Sequence, residues 1–417
     1  MNRHFNESDI LIPKNVDMYK WCVIACDQHT SEIDYWNKVK EIVGTSPSTL
    51  SLILPEIYLE DNVNKRIKEI NNNMKDLINK DFFIEYKNTI VYLERTLSNK
   101  NVRQSLIGAI DLEDYSYEKN SKSLIRPTEN TIKERVEARV KIRKNALLEL
   151  PHILLLVDDR ENELIEPLKD LVNKDDIIYD TDLMLDGGHV RGYKLSKKLI
   201  DEFNNKIEKY LDINYYKKKY DVEDNNPLLF AVGDGNHSLA AAKECYEIIK
   251  KKTNDKKLIN KNRYVLVELI NVHNPALEFK SINRVIYNTN IKDFLNSIKS
   301  YYSINEDGLG QKFRLISKDY DKTLYIYNPK SNIVVGSIEL FLEDYKKEND
   351  IKVDYIHGLD TVKKLCNNDN TIGIVFDSMN KEDLFKTVIL EGVLPKKTFS
   401  IGNSNDKRYY LESRKIS

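Results

Sequence analysis

The chain has 417 residues, 41% hydrophobic and 31% charged, with 65 Lys and Arg against 66 Asp and Glu and a formal net charge of −1. That length predicts a globular protein of two or three domains or subdomains, and the even charge balance excludes the basic excess expected of a nucleic-acid binder. No apolar run approaches a membrane span, no basic start leads into a secretory-type apolar stretch, and four scattered cysteines (Cys22, Cys26, Cys245 and Cys366) read as bland thiols of a reducing, cytoplasmic compartment.

Three segments follow one another. Residues 1–150 read as an N-terminal α/β segment. In CDQHTSEIDYW, residues 26–36, Thr30 or Ser31 is placed to cap a helix with Trp36 on its core face. VYLERTL and SLIGAIDL read as strands. Thr131 and Glu134 then form the Ser/Thr-x-x-Glu capping-box pattern. Behind it Ile132, Val136 and Val140 make a core stripe, while Arg135, Arg139 and Arg143 read as a solvated stripe beside it. Residues 151–290 form a central segment. It starts with the apolar strand HILLLV, which ends in Asp158 and Asp159 before an expected helix. It continues through DGGHVRGY, a long helical stretch, PLLFAVGDGNHS and RYVLVELIN. Residues 291–417 mix strands (KTLYIYN, NTIGIVF) with helices (ELFLEDYKKE, KEDLFKTVILEG), the last stopped by Gly392. Without a regular strand–helix alternation, the fold class is α+β, with mixed sheets and flanking helices.

Two motifs concentrate a scarce residue. Of 14 glycines, three fall in DGGHVRGY and two in GDGNHS. GDGNHS, residues 233–238, lies between an apolar strand and a helix marked by Leu239, Ala242, Tyr246 and Ile249. A helix N-terminus offers free N–H groups and a favourable dipole to an anion. Gly233 and Gly235 permit a tight turn, Asn236 or Ser238 caps the helix, and Asp234 and His237 supply a base and a proton carrier. A capped turn with a packed His237 is the structural alternative. In DGGHVRGY, the site reading of Asp186, His189 and Arg191 stands beside a plain hairpin turn at Asp186-Gly187. Arg126 and Glu129 of IRPTEN read equally as an anion clamp or as a surface pair. LPKKTF, with Lys396, Lys397 and Thr398, reads as surface lysines more than as a phosphate contact. Arg284, closing HNPALEFKSINR, is weaker still. No HExxH, GxSxG, Walker or dinucleotide GxGxxG pattern occurs.

RPTENT, DGGHVRGY, the strand into GDGNHS, and LPKKTF, taken in this order, resemble the bacterial family catalogued as domain of unknown function 1015 over nearly the whole chain. That family's central loop reads Asp-Gly-His-His-Arg. Here Asp234, Gly235 and His237 match, while Asn236 stands for the first histidine and Ser238 for the arginine. Such a loop is also similar to the nucleotide loop of the ParB and sulfiredoxin superfamily, which includes kinases of free L-serine. The resemblance implies a ParB/sulfiredoxin-like core and a nucleotide-dependent phosphotransferase on a small hydroxyl compound, or the reverse reaction.

On that reading Gly233, Gly235, Asn236 and Ser238 hold the phosphates of ATP or ADP. Asp234 binds Mg²⁺ or aims the hydroxyl, His237 meets the transferred group, and Glu32 is the general base. Arg126, Glu129, Asp186, His189 and Arg191 bind the substrate. A nucleotide-sensing protein without catalysis is the alternative. The expected partners are a small molecule and a nucleotide, not nucleic acid or a membrane.

Overall fold

The strands expected at VYLERTL, SLIGAIDL, HILLLV, PLLFAV and RYVLVELIN all form, and all five lie in one eight-stranded sheet. These elements are seen in a computed structural model that describes residues 3–417. From edge to edge the strands are Ile125–Pro127, Phe230–Asp234, Leu154–Val157, Tyr264–Asn271, Val102–Asp111, Val91–Thr96, Gly188–Lys194 and Ile177–Leu183. Phe230–Asp234 runs antiparallel to Leu154–Val157, which runs parallel to Tyr264–Asn271. The sheet is therefore mixed, as expected of an α+β fold.

Side chains alternate across a strand, so each strand feeds two cores. Tyr92, Leu106, Leu155, Phe230, Val265 and Val267 face one side. The helices Lys197–Ile207 and Asn236–Lys252 cover that side with Ile200, Phe203 and Ile207, and with Leu239, Ala242 and Tyr246. Val91, Leu93, Ile107 and Leu266 face the other side, under Trp21, Trp36, Ile70 and Met74 from the N-terminal part of the chain. Trp36 is fully buried in the helix Ile33–Val43, as its position in CDQHTSEIDYW predicts, although Glu32 rather than Thr30 or Ser31 precedes the helix.

The chain divides into two units. The first runs to Pro127, resumes over Thr131–Leu277 and takes in Asn403–Ser417. The second comprises Thr128–Asn130 and Glu278–Gly402. Its core is an antiparallel six-stranded sheet in the order Ile304–Asn305, Tyr320–Ile326, Gln311–Ser317, Thr371–Val375, Asn283–Tyr287, Lys352–Ile356. Helices Ile291–Tyr301 and Val334–Glu348 meet through Phe294, Phe341 and Tyr345.

Three local expectations fail, the first being the core stripe, of which Val136 is buried, Val140 half-buried and Ile132 48% exposed. No α-helix follows Asp158 and Asp159, where 3-10 turns form at Glu166–Asp170 and Lys174–Asp176. Both acids point inward instead. Asp159 accepts from Leu164 N–H and from the Tyr210 hydroxyl, each at 2.8 Å, and Asp158 pairs with His273 at 2.6 Å and Lys219 at 3.3 Å. Nor does the capping box form: the helix is Lys133–Arg143, preceded by Ile132, and no side chain of its own caps it. The reason lies across the fold, where His237 Nε2 accepts the Ile132 N–H at 3.1 Å.

Candidate functional site

The strand Phe230–Asp234 stops at Gly235, and the helix Asn236–Lys252 starts at once. Gly235 precedes the helix with φ +78°, so neither Asn236 nor Ser238 is the cap. A Cβ on Gly235 would lie 3.0 Å from the Ile153 Cα. Left-handed backbone and close packing both demand glycine here. Gly235→Ala is expected to cost about 1–3 kcal/mol, read as a lowered urea midpoint with an unchanged slope.

The loop turns part of its hydrogen-bonding capacity on itself. Gly235 N–H donates to Asp234 Oδ1 at 2.9 Å, and Ser238 N–H to Gly235 O at 3.0 Å. Two of the four amides expected to cradle phosphate are thus engaged. Asp234 Oδ2 receives Lys407 Nζ at 2.8 Å. Burial alone would raise the Asp234 pKa, but Lys407, the Gly235 amide and His152 hold it below the usual carboxylate range. His237 is 9% exposed, and its pKa is pushed down to about 4 by burial, with Arg139 and Arg135 adding to the shift. It is therefore neutral at pH 7, and its Nε2 is free of a proton to accept from Ile132.

A further histidine joins the loop. His152 Nε2 lies 2.8 Å from Ser238 Oγ, and its Nδ1 3.0 Å from the Tyr410 hydroxyl. Tyr410 also accepts the Cys26 N–H and donates to Cys26 Sγ, both at 3.2 Å. Asp27 comes within 4.0 Å of His152. Burial lowers the His152 pKa, with Arg139 adding to it, while Asp27, Asp234 and Glu56 oppose. Arg139 Nε donates to Ser238 Oγ at 3.2 Å, and its other end pairs with Glu56. The arginine stripe is not a solvated face as expected: Arg139 and Arg143 turn inward, at 15% and 17% exposure, because Glu56 and Glu149 await them. Arg135 alone of the three is exposed. Beside these groups opens a cavity of 130 Å³ lined by Leu52, Leu54, Met74, Ile142, Leu148 and Ala241.

Lys407 and Tyr410 come from the segment after Gly402, which the first sheet grips from beneath. Arg95 donates to Asn405 O at 2.7 Å, to Gly187 O at 2.9 Å and to Lys407 O. Arg103 donates to Asp406 O at 2.8 Å. Arg408 pairs with Glu412 and, at 3.3 Å, with Glu268. The DGG turn and the GDGNHS loop are thus tied to the same segment.

Of the residues expected at the site, Asp234, His237 and Ser238 are gathered with Arg139, His152, Lys407, Tyr410 and Asp27. Glu32 is exposed and bonds His29 at 3.0 Å, so Asp27 rather than Glu32 is the acid of this motif next to His152. Arg126 is 2% exposed and spends its guanidinium on the carbonyls of Ser123 and Asn226, a clamp within the chain. Glu129 is exposed and belongs to the second unit. Asp186 sits in the turn of the hairpin Ile177–Leu183/Gly188–Lys194 at φ +60°. His189 is held by Asp180 at 2.6 Å and Asp182 at 2.8 Å, and Arg191 by Asp180 at 2.8 Å. Packing explains all three of that motif's glycines: a Cβ on Gly187 would lie 2.6 Å from the Tyr409 ring, one on Gly188 2.0 Å from Thr96 O, and one on Gly192 2.2 Å from the Tyr179 ring. Gly233 likewise makes room for Leu156. In the second unit, Lys396 and Lys397 give their carbonyls to the fully buried Arg284 at 2.8 and 2.9 Å. Among the described residues no group of three His, Cys, Asp or Glu is placed to hold a metal ion, and no helix is long and apolar enough to cross a membrane.

The model of the family described as "Protein of unknown function (DUF1015)" matches residues 10–362. No curated protein matches. Similar solved structures include SbnI with a C-terminal truncation from Staphylococcus aureus, at 8% identity and TM-score 0.36 over 71% of this chain and 82% of that one. A free serine kinase in complex with AMP matches at 9% identity and TM-score 0.36 over 74% and 91%. A conserved hypothetical protein from Pyrococcus furiosus matches at 11% identity and TM-score 0.32 over 74% and 94%.

Proposed function

The chain belongs to the DUF1015 family, and from that premise we propose that it is a small-molecule phosphotransferase, a nucleotide-dependent kinase of free L-serine or a similar small hydroxyl compound, or the same reaction in reverse. One observation carries this reading: a lysine and an ionised carboxylate, Lys407 and Asp234, meet at 2.8 Å at the N-terminus of the helix Asn236–Lys252. Phosphoryl transfer asks little of a protein beyond positioning and charge stabilisation. Lys407 and the helix N-terminus supply positive potential for phosphate oxygens. Asp234 aims the attacking hydroxyl once Lys407 swings to the phosphate, and neutral His237 sits beside the same turn. Arg139 is the next cation along the loop.

ATP or ADP with Mg²⁺ is the partner this reading requires. Mg²⁺ keeps several waters and is commonly held by one or two carboxylates plus substrate phosphates. Asp234 as the one loop carboxylate fits an ion that arrives bound to the nucleotide.

A thermal-shift panel of ATP and ADP with Mg²⁺ tests the proposal. A nucleotide at a hundred times its dissociation constant stabilises the fold by about 2.7 kcal/mol. The wild type is expected to shift and Lys407→Met to lose the shift. If no nucleotide moves the wild type, the reading fails. A shift without transfer to any hydroxyl compound identifies a nucleotide-binding protein instead.

A further inference from the structure

We infer that Ser238 is a covalent nucleophile with His152 as its general base, and that it takes esters of short apolar acyl groups. The hydrogen-bond chain assigns the protons. With the Tyr410 hydroxyl donating to Cys26 Sγ, the tautomer we assign to His152 carries its hydrogen on Nδ1 and gives it to the Tyr410 oxygen at 3.0 Å. Nε2 of a neutral imidazole is then bare, and the partner at 2.8 Å is the Ser238 hydroxyl, which donates to it. A serine hydroxyl donating to a histidine whose far nitrogen is fixed by a third group is the arrangement that activates a serine. Arg139 Nε, 3.2 Å from the same oxygen, stabilises negative charge as it forms.

The cavity specifies the substrate. Ser238, His152, Arg139, Tyr410 and the Arg143–Glu149 ion pair are its polar lining, and Leu52, Leu54, Met74, Ile142, Leu148 and Ala241 are among its apolar walls. The charges of Arg143 and Glu149 satisfy each other, and the apolar walls favour an aliphatic acyl chain. In the reaction Ser238 Oγ bonds to the carbonyl carbon as its proton passes to His152 Nε2. The bond to the leaving alcohol then breaks, and the alcohol takes that proton. Water, deprotonated by the same nitrogen, next attacks the acyl carbon; the acyl–Oγ bond breaks, Ser238 Oγ takes that proton back from His152, and the carboxylic acid leaves. The balance is one ester and one water to one alcohol and one acid.

The inference does not rest on nucleotide binding, and each reading can fail alone. The first test treats the full chain with a fluorophosphonate, in which Ser238 Oγ displaces fluoride from phosphorus. Intact-mass and peptide analysis are expected to find one adduct, on Ser238, absent from Ser238→Ala. His152→Gln is expected to slow labelling at least a hundredfold. Tyr410→Phe, which leaves the ring in place, is expected to slow it about tenfold in protein that still unfolds in one cooperative transition; that arm stands even where His152→Gln fails to fold. Hydrolysis of 4-nitrophenyl butyrate is expected to show the same order of variants. No adduct on Ser238, or labelling that is indifferent to both His152 and Tyr410, overturns the inference.

Discussion

Replacing Glu268 with glutamine is expected to lower folding stability by about 3–5 kcal/mol, the usual effect of removing one partner from a buried ionic network. Glu268 lies on the central strand Tyr264–Asn271 and is 1% exposed. Its carboxylate faces Arg103 at 3.5 Å and Arg408 at 3.3 Å, and accepts the Ser105 hydroxyl at 2.8 Å. Burial works to raise its pKa, and the two guanidinium groups hold it down. Glutamine keeps the shape and the bond from Ser105 but leaves Arg103 without its carboxylate. Arg408 keeps Glu412. Urea unfolding of both proteins at pH 7 measures the difference. A loss under 1 kcal/mol would mean that the network relaxes or admits water. The same variant is expected to weaken nucleotide-induced stabilisation, since Arg103 and Arg408 hold the segment that carries Lys407.

The second large effect is a pH dependence traced to His237. Its pKa is about 4 in the folded protein against 6.5 for an ordinary histidine. The unfolded chain therefore binds this proton more readily. Stability from His237 is complete above pH 6.5 and is lost as pH falls through 6.5 toward 4, by up to about 1.4 kcal/mol per unit and about 3 kcal/mol in all. His152, also lowered by burial, acts in the same direction. In His237→Gln the amide oxygen replaces Nε2 as acceptor for Ile132, and this share of the slope disappears. Denaturation at pH 7 and pH 4.5 should show the wild type losing roughly 2 kcal/mol more than the variant. Equal losses would show that His237 is protonated in the folded state.

Much of the scaffold is legible in the residues themselves. Val91–Thr96 and Tyr264–Asn271 read as strands because their apolar side chains alternate between two cores or fill both faces, and the strand–Gly–helix form of GDGNHS follows from PLLFAV, Gly235 and the alanine-rich helix. The site is less legible, because half of it is assembled from far along the chain. Nothing near Lys407 or Tyr410 marks them, since their roles depend on Arg95, Arg103 and Glu268 pinning a stretch that is otherwise plain. His152 follows Pro151 in a run that reads as strand. The arginine stripe is ambiguous in sequence for a related reason: helical spacing shows that Arg135, Arg139 and Arg143 share a face, but whether that face meets water is decided by Glu56 and Glu149. Glycine scarcity pointed at two loops, yet Gly188 and Gly192 answer to Thr96 and Tyr179 rather than to a ligand.

The position of Lys407 and Tyr410 after the second unit has a consequence for biosynthesis. A nascent chain that has reached Gly402 already contains every strand of the first sheet, yet Arg95 and Arg103 have no segment to hold and Asp234 has no lysine. Arg103 can meet Glu268 within the sheet, but Lys407 reaches Asp234 only after Glu278–Gly402 is synthesised. Contacts of such sequence separation form late and slowly. The candidate site around Asp234 is therefore completed only after the second unit has been made.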